Sequence, residues 1–294
     1  MTKKIVSMEV LAPAKINLSL RVLGKRKDGF HEIETLISPV SLYDKIEVEN
    51  QNRWIDFSCD DPTLSTGDDN LVVRAAKVFL EYAKIKSGLS IKLQKKIPHG
   101  AGLGGGSSDA AATLRGLNQL FEANLTHGEL SKLGSQIGSD VPFFLFESVA
   151  TCKGRGEIVE STKLKRKLRN DSRAPIDSGL SILLLKPAFG VASGWAYSHW
   201  QNSKEIPGIS YEAQDFDGQS FVNDLERPVF EKFVFLAQLK TWLLQQPEVG
   251  AALMSGSGST VFAVLREQAN ADSLAKRVRA ELDREIWALP CETI

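Results

Sequence analysis

The sequence predicts an α+β fold with two domains. A chain of 294 residues, 43% of them hydrophobic, is long enough to fill about two cores of ordinary size. In the first half, segments with the composition of strands alternate with helical patterns, and a second such set follows later. Residues 161–179 between them are polar, basic and interrupted by proline, which is typical of a domain junction or a long solvated loop. We therefore predict domains at residues 1–165 and 166–294.

The first half opens with strands that surround one helix. Four segments have the composition of strands, namely MEVLAPAKINLSLRVLG, DKIEVEN, RWIDFSCD and LSIKLQKKI. In the last segment Leu89, Ile91 and Leu93 alternate with polar residues, which predicts one buried and one solvated face of a mostly antiparallel sheet. The segment DDNLVVRAAKVFLEYAK has apolar residues at helical spacing, and Asp69 or Asn70 can cap its start.

More helices and a second group of strands follow. A helix begins after a glycine-rich stretch, and another begins at Thr126, where Glu129 can complete a capping box, and ends near Gly138. The second half predicts, in order, a strand in SILLLKPA, a helix near residues 194–200, a long helix at about 220–245, a strand pair in VGAALMSGSGSTVFAVLR, a helix in ADSLAKRVRAELD and a short final strand.

Composition excludes several kinds of partner and site. Lys and Arg total 36 and Asp and Glu total 36, so no net charge attracts nucleic acid or an anionic membrane. No apolar run approaches the roughly 18 residues of a membrane span. The three cysteines form no CxxC pair and the N-terminus lacks a signal-peptide core, which predicts a cytoplasmic protein. The four histidines lack metal-site spacing, so we predict no metal ligands on the protein.

The stretch IPHGAGLGGGSSDAAATL, residues 97–114, predicts a phosphate-binding loop. Glycine lets backbone N–H groups converge on an anion, and the helix that follows adds unpaired N–H groups and the positive end of its dipole. Ser107 and Ser108 add hydroxyl groups that can reach phosphate oxygens, and Asp109 in the first turn complements the dipole. We call residues 98–108 the glycine-rich loop.

Two better-known glycine loops do not match this stretch. A Walker A loop requires a lysine after the glycines, and none follows here. Gly100, Gly102 and Gly105 match the GxGxxG pattern of dinucleotide-binding folds, but the preceding strand is amphipathic and no acidic residue ends a strand about 20 residues later. The stretch therefore predicts a different kind of phosphate site.

The glycine-rich loop resembles the phosphate-binding motif of the GHMP kinases. Two further stretches are similar to the other signatures of that family, PAKINLSLRVLGKRKDGFHEIETL near the start and MSGSGSTVFAV near the end. The three motifs occur in order and span nearly the whole chain. The resemblance implies the two-domain GHMP kinase fold, with an N-terminal ATP-binding domain like ribosomal protein S5 and a C-terminal ferredoxin-like substrate domain. It also implies ATP as donor, with Mg²⁺ bound mainly through the ATP phosphates.

The sequences DGFHE and IGSDVPFFL are most similar to one branch of that family. This branch phosphorylates the 2-hydroxyl of 4-diphosphocytidyl-2-C-methyl-D-erythritol in non-mevalonate isoprenoid precursor synthesis. The implied partners are ATP and this cytidine diphosphate sugar alcohol, without nucleic acid or membrane, and the expected state is a monomer or weak homodimer. A homoserine or mevalonate type of GHMP kinase is the alternative. A nucleotide-binding regulator without catalysis is a further alternative, against which the presence of Lys15 and Asp140 argues.

The resemblance assigns catalysis to Lys15 and Asp140. Asp140 matches the position of the catalytic base, and Lys15 matches the lysine beside it. The chemistry is consistent, because an alcohol needs a carboxylate to take its proton and an ammonium can stabilise developing charge. From the residues alone, Lys15 would be an edge lysine of a strand and Asp140 a cap or turn residue.

The resemblance also assigns the binding of the two substrates. ATP is expected to contact Asn70 and the glycine-rich loop, that is Pro98, His99, Gly100, Ala101, Gly102, Leu103, Gly104, Gly105, Gly106, Ser107 and Ser108. The second loop, residues 255–259, is expected to brace the glycine-rich loop and the acceptor. Asn70 is equally well explained as a helix cap.

Four residues are expected to bind the acceptor, namely Asn17, Phe30, His31 and Tyr197. Asn17 would contact acceptor hydroxyls or support Lys15, and His31 would read the cytosine edge. Phe30 and Tyr197 would stack on the two faces of the base. Outside the resemblance, His31 is a structural histidine and Tyr197 a core residue. Phe30 stands where the family has tyrosine, and Ser193 stands where threonine is usual.

Overall fold

The computed structural model describes residues 7–164, 179–267 and 270–294. The predicted boundary between residues 165 and 166 and most of the polar stretch 161–179 lie outside the described residues. The strands are β1 (Ser7–Lys25), β2 (His31–Gln51), β3 (Ile55–Cys59), β4 (Gly88–Gln94), β5 (Ala150–Gly154), β6 (Ile158–Ser161), β7 (Ser181–Lys186), β8 (Gln214–Phe216), β9 (Gln219–Asn223), β10 (Val249–Met254), β11 (Val261–Leu265) and β12 (Trp287–Glu292). The helices are α1 (Leu71–Tyr82), α2 (Gly105–Leu120), α3 (His127–Ile137), α4 (Val141–Phe146), α5 (Ser193–His199), α6 (Glu226–Lys232), α7 (Val234–Leu244) and α8 (Ala271–Glu281).

The first sheet has the strand order β3-β4-β2-β1-β9-β8, with β5 and β6 added beside β2. Its pairs are antiparallel except β3 with β4 and β1 with β9, which confirms the mostly antiparallel prediction. Leu89, Ile91 and Leu93 face the core and are buried, as the alternation predicted. The strand DKIEVEN proves to be the end of the much longer β2, whose first half pairs with β5 and whose second half pairs with β4.

The helix starts in this half follow the predicted caps. The Asn70 side chain accepts a hydrogen bond of 2.9 Å from the backbone N–H of Val72 at the start of α1. Thr126 and Glu129 form the predicted capping box, and α3 ends at Gly138. Helices α1 to α4 cover one face of the sheet and share a core with it.

The second sheet has the order β10-β11-β7-β12, and all its pairs are antiparallel. The predicted strand pair, α5, α8 and the final strand are confirmed. The predicted long helix at 220–245 is wrong. Residues 219–223 form β9, which extends the first sheet beside β1, and the remainder divides into α6 and α7 at Phe233. The Phe233 backbone has φ −117° and ψ 70°, which is not helical, and its ring stacks on Phe189 with centroids 5.1 Å apart.

The two sheets are joined by a shared core. Ala14, Ile16 and Leu18 of β1 pack in one buried cluster with residues of the second sheet, including Leu184 and Phe262. A separate cluster lies between the second sheet and α6, α7 and α8. Because β1 borders both cores, residues at its middle are held rigidly between the two halves of the chain.

A buried ion pair joins α6 and α7, beside the core that lies between the second sheet and these helices. The Lys240 ammonium lies 2.6 Å from the Glu226 carboxylate, and both side chains are at most 2% exposed. The other Glu226 oxygen accepts a hydrogen bond from the backbone N–H of Met254, and Lys240 also donates to the carbonyl of Ser210. Burial raises the pKa of Glu226, and the neighbouring ammonium opposes that shift.

We expect Lys240→Met to lower the free energy of unfolding by about 3–5 kcal/mol, because it leaves a buried carboxylate without its cation. Urea unfolding monitored by tryptophan fluorescence measures the loss. The matched control is the double variant Glu226→Gln, Lys240→Met, which removes both charges and should lose clearly less. A single variant within about 1 kcal/mol of the wild type would contradict the role of this pair.

Candidate active site

A cavity of about 960 Å³ opens where β1, β2, the glycine-rich loop, α5 and the second loop meet. Every predicted site residue lines it except Ser108, which is buried behind the loop. The strand β1 supplies Lys15 and Asn17, the turn into β2 supplies Phe30, and β2 begins with His31. The fold therefore brings together residues that are distant in sequence.

The glycine-rich loop has the backbone that its sequence predicted. Gly100, Gly102 and Gly104 have φ values of 63°, 74° and 71°, in the region that favours glycine. Helix α2 begins directly after Gly104, and no side chain caps its first turn. The Ser108 hydroxyl is buried there and has no hydrogen-bond partner in the described part of the chain. This backbone leaves uncapped donors at the cavity wall, which suits an anion.

The second loop holds the glycine-rich loop in place. The Ser255 hydroxyl donates to the carbonyl of Gly102 at 3.0 Å, and the backbone N–H of Thr260 donates to the carbonyl of Ala101 at 3.2 Å. A Cβ atom at Gly102 would lie 2.1 Å from the Ser255 carbonyl oxygen, so only glycine fits. The prediction that the second loop braces the glycine-rich loop is confirmed.

Lys15 and Asp140 approach each other at the centre of the cavity. The Lys15 ammonium lies 4.0 Å from the Asp140 carboxylate, whose side chain is 40% exposed. Lys15 itself is 4% exposed, so it is not the solvated edge lysine that its strand alone would indicate. Burial lowers the pKa of Lys15, and the Asp140 charge opposes that shift. Asp140 occupies the N-cap position of α4 but makes no capping hydrogen bond there.

A chain of hydrogen bonds orients the Lys15 ammonium. It donates to the Asn17 side-chain oxygen at 2.6 Å, and the Asn17 amide donates to the Thr35 hydroxyl at 2.8 Å. The Thr35 hydroxyl in turn donates to the carbonyl of Ser19 at 2.6 Å. Of the two roles predicted for Asn17, these contacts favour support of Lys15. Sequence reasoning missed Thr35, since only the pairing of β1 with β2 places it beside Asn17.

The far end of the cavity is aromatic. The His31 ring stacks on Tyr197 with centroids 5.5 Å apart and planes at 27°. Burial and the nearby Lys25 charge lower the pKa of His31, so its ring is neutral at pH 7. Phe30 is 48% exposed, and the Arg155 guanidinium lies 4.9 Å from its ring centroid.

Tyr197 and Asn70 each line the cavity and also have a structural role. Tyr197 lines the cavity and also packs against the core between the second sheet and its helices. Burial raises its pKa, so the phenol stays protonated. Asn70 caps α1 and also lines the cavity. The cap and core interpretations therefore hold for these residues alongside a place in the site.

Three charged side chains meet at the start of α2, where two of them, Lys95 and Asp109, also line the cavity, and sequence reasoning missed their contact. The Lys95 ammonium bonds to Asp44 and lies 2.8 Å from Asp109. A Cβ atom at Gly105 would lie 3.2 Å from that ammonium. Asp109 was expected only to complement the helix dipole, because its partners come from β2 and from the segment after β4.

The described residues contain no group of three or more His, Cys, Asp or Glu side chains that could hold a metal ion. In the same ranges, no helix combines the length and apolar character that crossing a bilayer requires.

Comparison with known families identifies the class of protein. A model of the GHMP kinases N terminal domain matches residues 70–148, and a model of the GHMP kinases C terminal domain matches residues 211–284. Together they cover more than half of the chain, which therefore belongs to the GHMP kinases. It is accordingly an ATP-dependent small-molecule kinase of mixed helix and sheet.

Curated relatives narrow the class to one kind of kinase. The 4-diphosphocytidyl-2-C-methyl-D-erythritol kinase of Methylacidiphilum infernorum (isolate V4) is 42% identical over 258 residues, 87% of this chain and 86% of that protein. The kinase of the same name from Syntrophus aciditrophicus (strain SB) is 39% identical over 292 residues, 97% of this chain and 98% of that protein. The chain belongs to the family of these kinases.

Solved structures agree with this family. A crystal structure of 4-(cytidine 5'-diphospho)-2C-methyl-D-erythritol kinase superimposes with a TM-score of 0.76 at 33% identity, covering 98% of this chain and 100% of that one. A homoserine kinase from Cytophaga hutchinsonii shares the fold with a TM-score of 0.66 at 18% identity, covering 98% and 95%.

Proposed function

We propose that this protein transfers the γ-phosphoryl group of ATP to the 2-hydroxyl of 4-diphosphocytidyl-2-C-methyl-D-erythritol, in isoprenoid precursor biosynthesis. The observation that carries the proposal is the order of groups along one cavity. The glycine-rich loop packs on Lys15 at Gly104, the Lys15 ammonium faces Asp140, and the Asp140 charge acts on Tyr197, which stacks on His31. A donor phosphate, an alcohol and a cytosine would need their partners in this order.

The assignment of the donor rests on the loop. Backbone N–H groups of the first turn of α2 would bind the ATP phosphates, and the hydroxyl of Ser107, which lines the cavity, would donate to a phosphate oxygen. Asn70 would contact the nucleotide from the start of α1. Mg²⁺, bound mainly through the phosphates, would neutralise part of their charge.

The transfer step is assigned to the central pair. Asp140 would accept the proton of the acceptor hydroxyl. The oxygen of that hydroxyl would form the new bond to the γ-phosphorus while the bond from this phosphorus to the ADP oxygen breaks. Lys15, held by Asn17, would orient the carboxylate and stabilise the charge that develops on the transferred group. The exposure of Asp140 supports this role, because a base must reach its substrate.

Recognition of the acceptor is assigned to the aromatic end. A neutral His31 can both donate to and accept from the cytosine edge, while Phe30 and Tyr197 offer ring faces for stacking. Homoserine has no base to occupy this end, and the aromatic end therefore favours the cytidyl acceptor over a homoserine type of kinase.

We also propose domains at residues 1–165, which would bind ATP, and 166–294, which would contribute to the substrate pocket. Tyr197 and the second loop come from the later part, whereas Asn17, Phe30 and His31 come from the earlier part. The acceptor pocket is thus shared between them. The three cysteines are free thiols, which suits the cytoplasmic location that we propose. We also propose a monomer or weak homodimer.

Asp140→Asn tests the catalytic assignment. We expect turnover to fall on the order of 10²-fold or more, because an amide keeps the shape but cannot accept the proton. A coupled assay of ADP release with the cytidyl acceptor measures turnover, and calorimetry measures ATP binding, which should persist. Asp56→Asn, on the exposed strand β3, is the matched control and should keep full activity. Normal turnover of Asp140→Asn would exclude it as the base.

Gly106→Asp tests whether the first turn of α2 binds the ATP phosphates, by adding a negative charge there. Gly106 is exposed in the first turn of α2, and a Cβ atom there would only touch Leu71 at 3.5 Å, so the fold should tolerate the change. We expect ATP affinity to fall about tenfold or more, since a carboxylate would face the phosphates. Gly106→Asn has the same size without charge and should lose much less. Equal ATP affinity of the two variants would contradict the assignment of phosphate binding to the glycine-rich loop and the first turn of α2.

Tyr197→Ala tests the base pocket. Loss of one stacking face should weaken acceptor binding by about 1–3 kcal/mol and change ATP binding little. Tyr197→Phe keeps the ring and serves as the control. A lower melting temperature with equal losses for both substrates would indicate a core role instead. If the wild type phosphorylated homoserine better than the cytidyl acceptor, the acceptor assignment would be wrong and the kinase assignment would stand.

A further inference from the structure

A buried group of three charges forms the floor of the glycine-rich loop. Asp44 of β2 is fully buried, and its oxygens accept hydrogen bonds from the Lys95 ammonium and from the backbone N–H groups of Lys96 and Ile97. Asp109 of α2 is 2% exposed and accepts from the same ammonium at 2.8 Å. Its other carboxyl oxygen has no hydrogen-bond partner among the described residues. We call Asp44, Lys95 and Asp109 the buried triad.

The charge of the buried triad is unsuited to its position when both carboxyls are ionised. Two carboxylates and one ammonium then leave one net negative charge directly beneath a loop that binds an anion. A buried carboxyl beside a second one also has a strong reason to hold a proton. Burial, with the neighbouring Asp44, raises the pKa of Asp109 to about 8 in spite of Lys95.

We propose, on the basis of the function proposed above, that Asp109 is a positioning residue for ATP that carries a proton in the nucleotide complex. The proton is carried on the Asp109 carboxyl, so that the buried triad becomes neutral. Lys95 then holds the first turn of α2 from behind Gly105 without net negative charge facing the phosphates.

Other charged groups near α2 are engaged elsewhere. Asp44 and Lys95 face this carboxyl directly. From β1, the carbon chain of Lys15 packs at the start of α2, but its ammonium donates to an amide oxygen and faces the catalytic carboxylate. Arg74 of α1 donates to a main-chain carbonyl of α3, Glu129 of α3 completes its own capping box, and α4 consists of uncharged residues.

The linkage between proton and nucleotide has a definite sign. Bound phosphates disfavour the ionised carboxyl, so ATP binding raises the pKa of Asp109 further and takes up a proton from solvent. ATP affinity is then greatest where the carboxyl is already protonated and falls as the pH rises above its pKa in the free protein. Across that interval the fall is up to about tenfold per pH unit.

Calorimetry of ATP binding in two buffers of different ionisation enthalpy counts the protons. At pH 8.5, with Mg²⁺ and without acceptor, we expect the wild type to take up about half a proton or more. Asp109→Asn replaces the carboxyl by a neutral amide of the same shape and should take up none. Its ATP affinity should change less than about twofold between pH 7 and 9, while that of the wild type falls about tenfold.

A second variant keeps the test independent of the first. Asp44→Asn retains an acceptor oxygen for the backbone donors but removes one of the two causes that disfavour ionisation of Asp109, so its proton uptake at pH 8.5 should be smaller than that of the wild type. Uptake that persists in Asp109→Asn would assign the proton to another group, such as Lys15, and overturn the proposal. Uptake in Asp44→Asn equal to that of the wild type would also overturn it, because the buried triad would then not set the proton affinity. Absence of uptake in a wild type that phosphorylates the acceptor normally would overturn it as well and leave the kinase function intact. Failure of phosphorylation itself would instead remove the function.

Discussion

The close approach of two glycine-containing loops is the constraint on which the cavity depends. Gly102 lies against the Ser255 carbonyl with no room for a side chain. The Ser255 hydroxyl donates to the carbonyl of Gly102, and the N–H of Thr260, directly after the second loop, donates to the carbonyl of Ala101. The glycine-rich loop also bonds to β1, where the N–H of Lys15 donates to the carbonyl of Leu103 at 3.0 Å. The loop is therefore fixed by both halves of the chain, and the distance from its backbone donors to the Lys15 ammonium is fixed with it.

The same arrangement explains how two lysine side chains, Lys15 and Lys95, remain charged although they are buried beside the glycine-rich loop. Lys15 is compensated by Asp140 and an amide oxygen, and Lys95 by two carboxyls. Without these partners, removing an ammonium from water would cost several kcal/mol. Each lysine thus brings a positive charge close to the region where phosphate is expected, one at the cavity wall and one behind the loop. The compensation differs, since Asp140 remains accessible while Asp109 does not.

The two halves of the chain contribute unequally to the site. The first half provides the glycine-rich loop and the central pair, whereas the second half provides the brace and one aromatic face. The second loop is itself held by Asn223 of β9, whose side-chain amide donates to the carbonyls of Met254 and Gly256 at 2.7 and 2.8 Å. Because β9 is a strand of the first sheet, a segment late in the sequence connects the two sheets.

Local rules were sufficient for much of the fold. The alternation around Ile91, the cap at Asn70 and the capping box at Thr126 depend on neighbours in sequence, and each was confirmed. The helix predicted at 220–245 failed because β9 depends on a partner strand about 200 residues away, and hydrophobic periodicity contains no information on that partner. The length of β2 was underestimated for the same reason, since its first half is stabilised by β1 and β5.

By itself, the sequence determined the glycine-rich loop, the family and the residues to examine, because backbone freedom and motif order are local properties of a chain. The resemblance placed Lys15 beside Asp140, but only the tertiary structure decided that Lys15 is buried, that its ammonium bonds to Asn17, and that Asp109 meets Asp44 and Lys95. Side-chain burial and ion pairing depend on which strands become neighbours. That choice is made by the packing of the whole sheet, so it cannot be read from the spacing of residues along the chain.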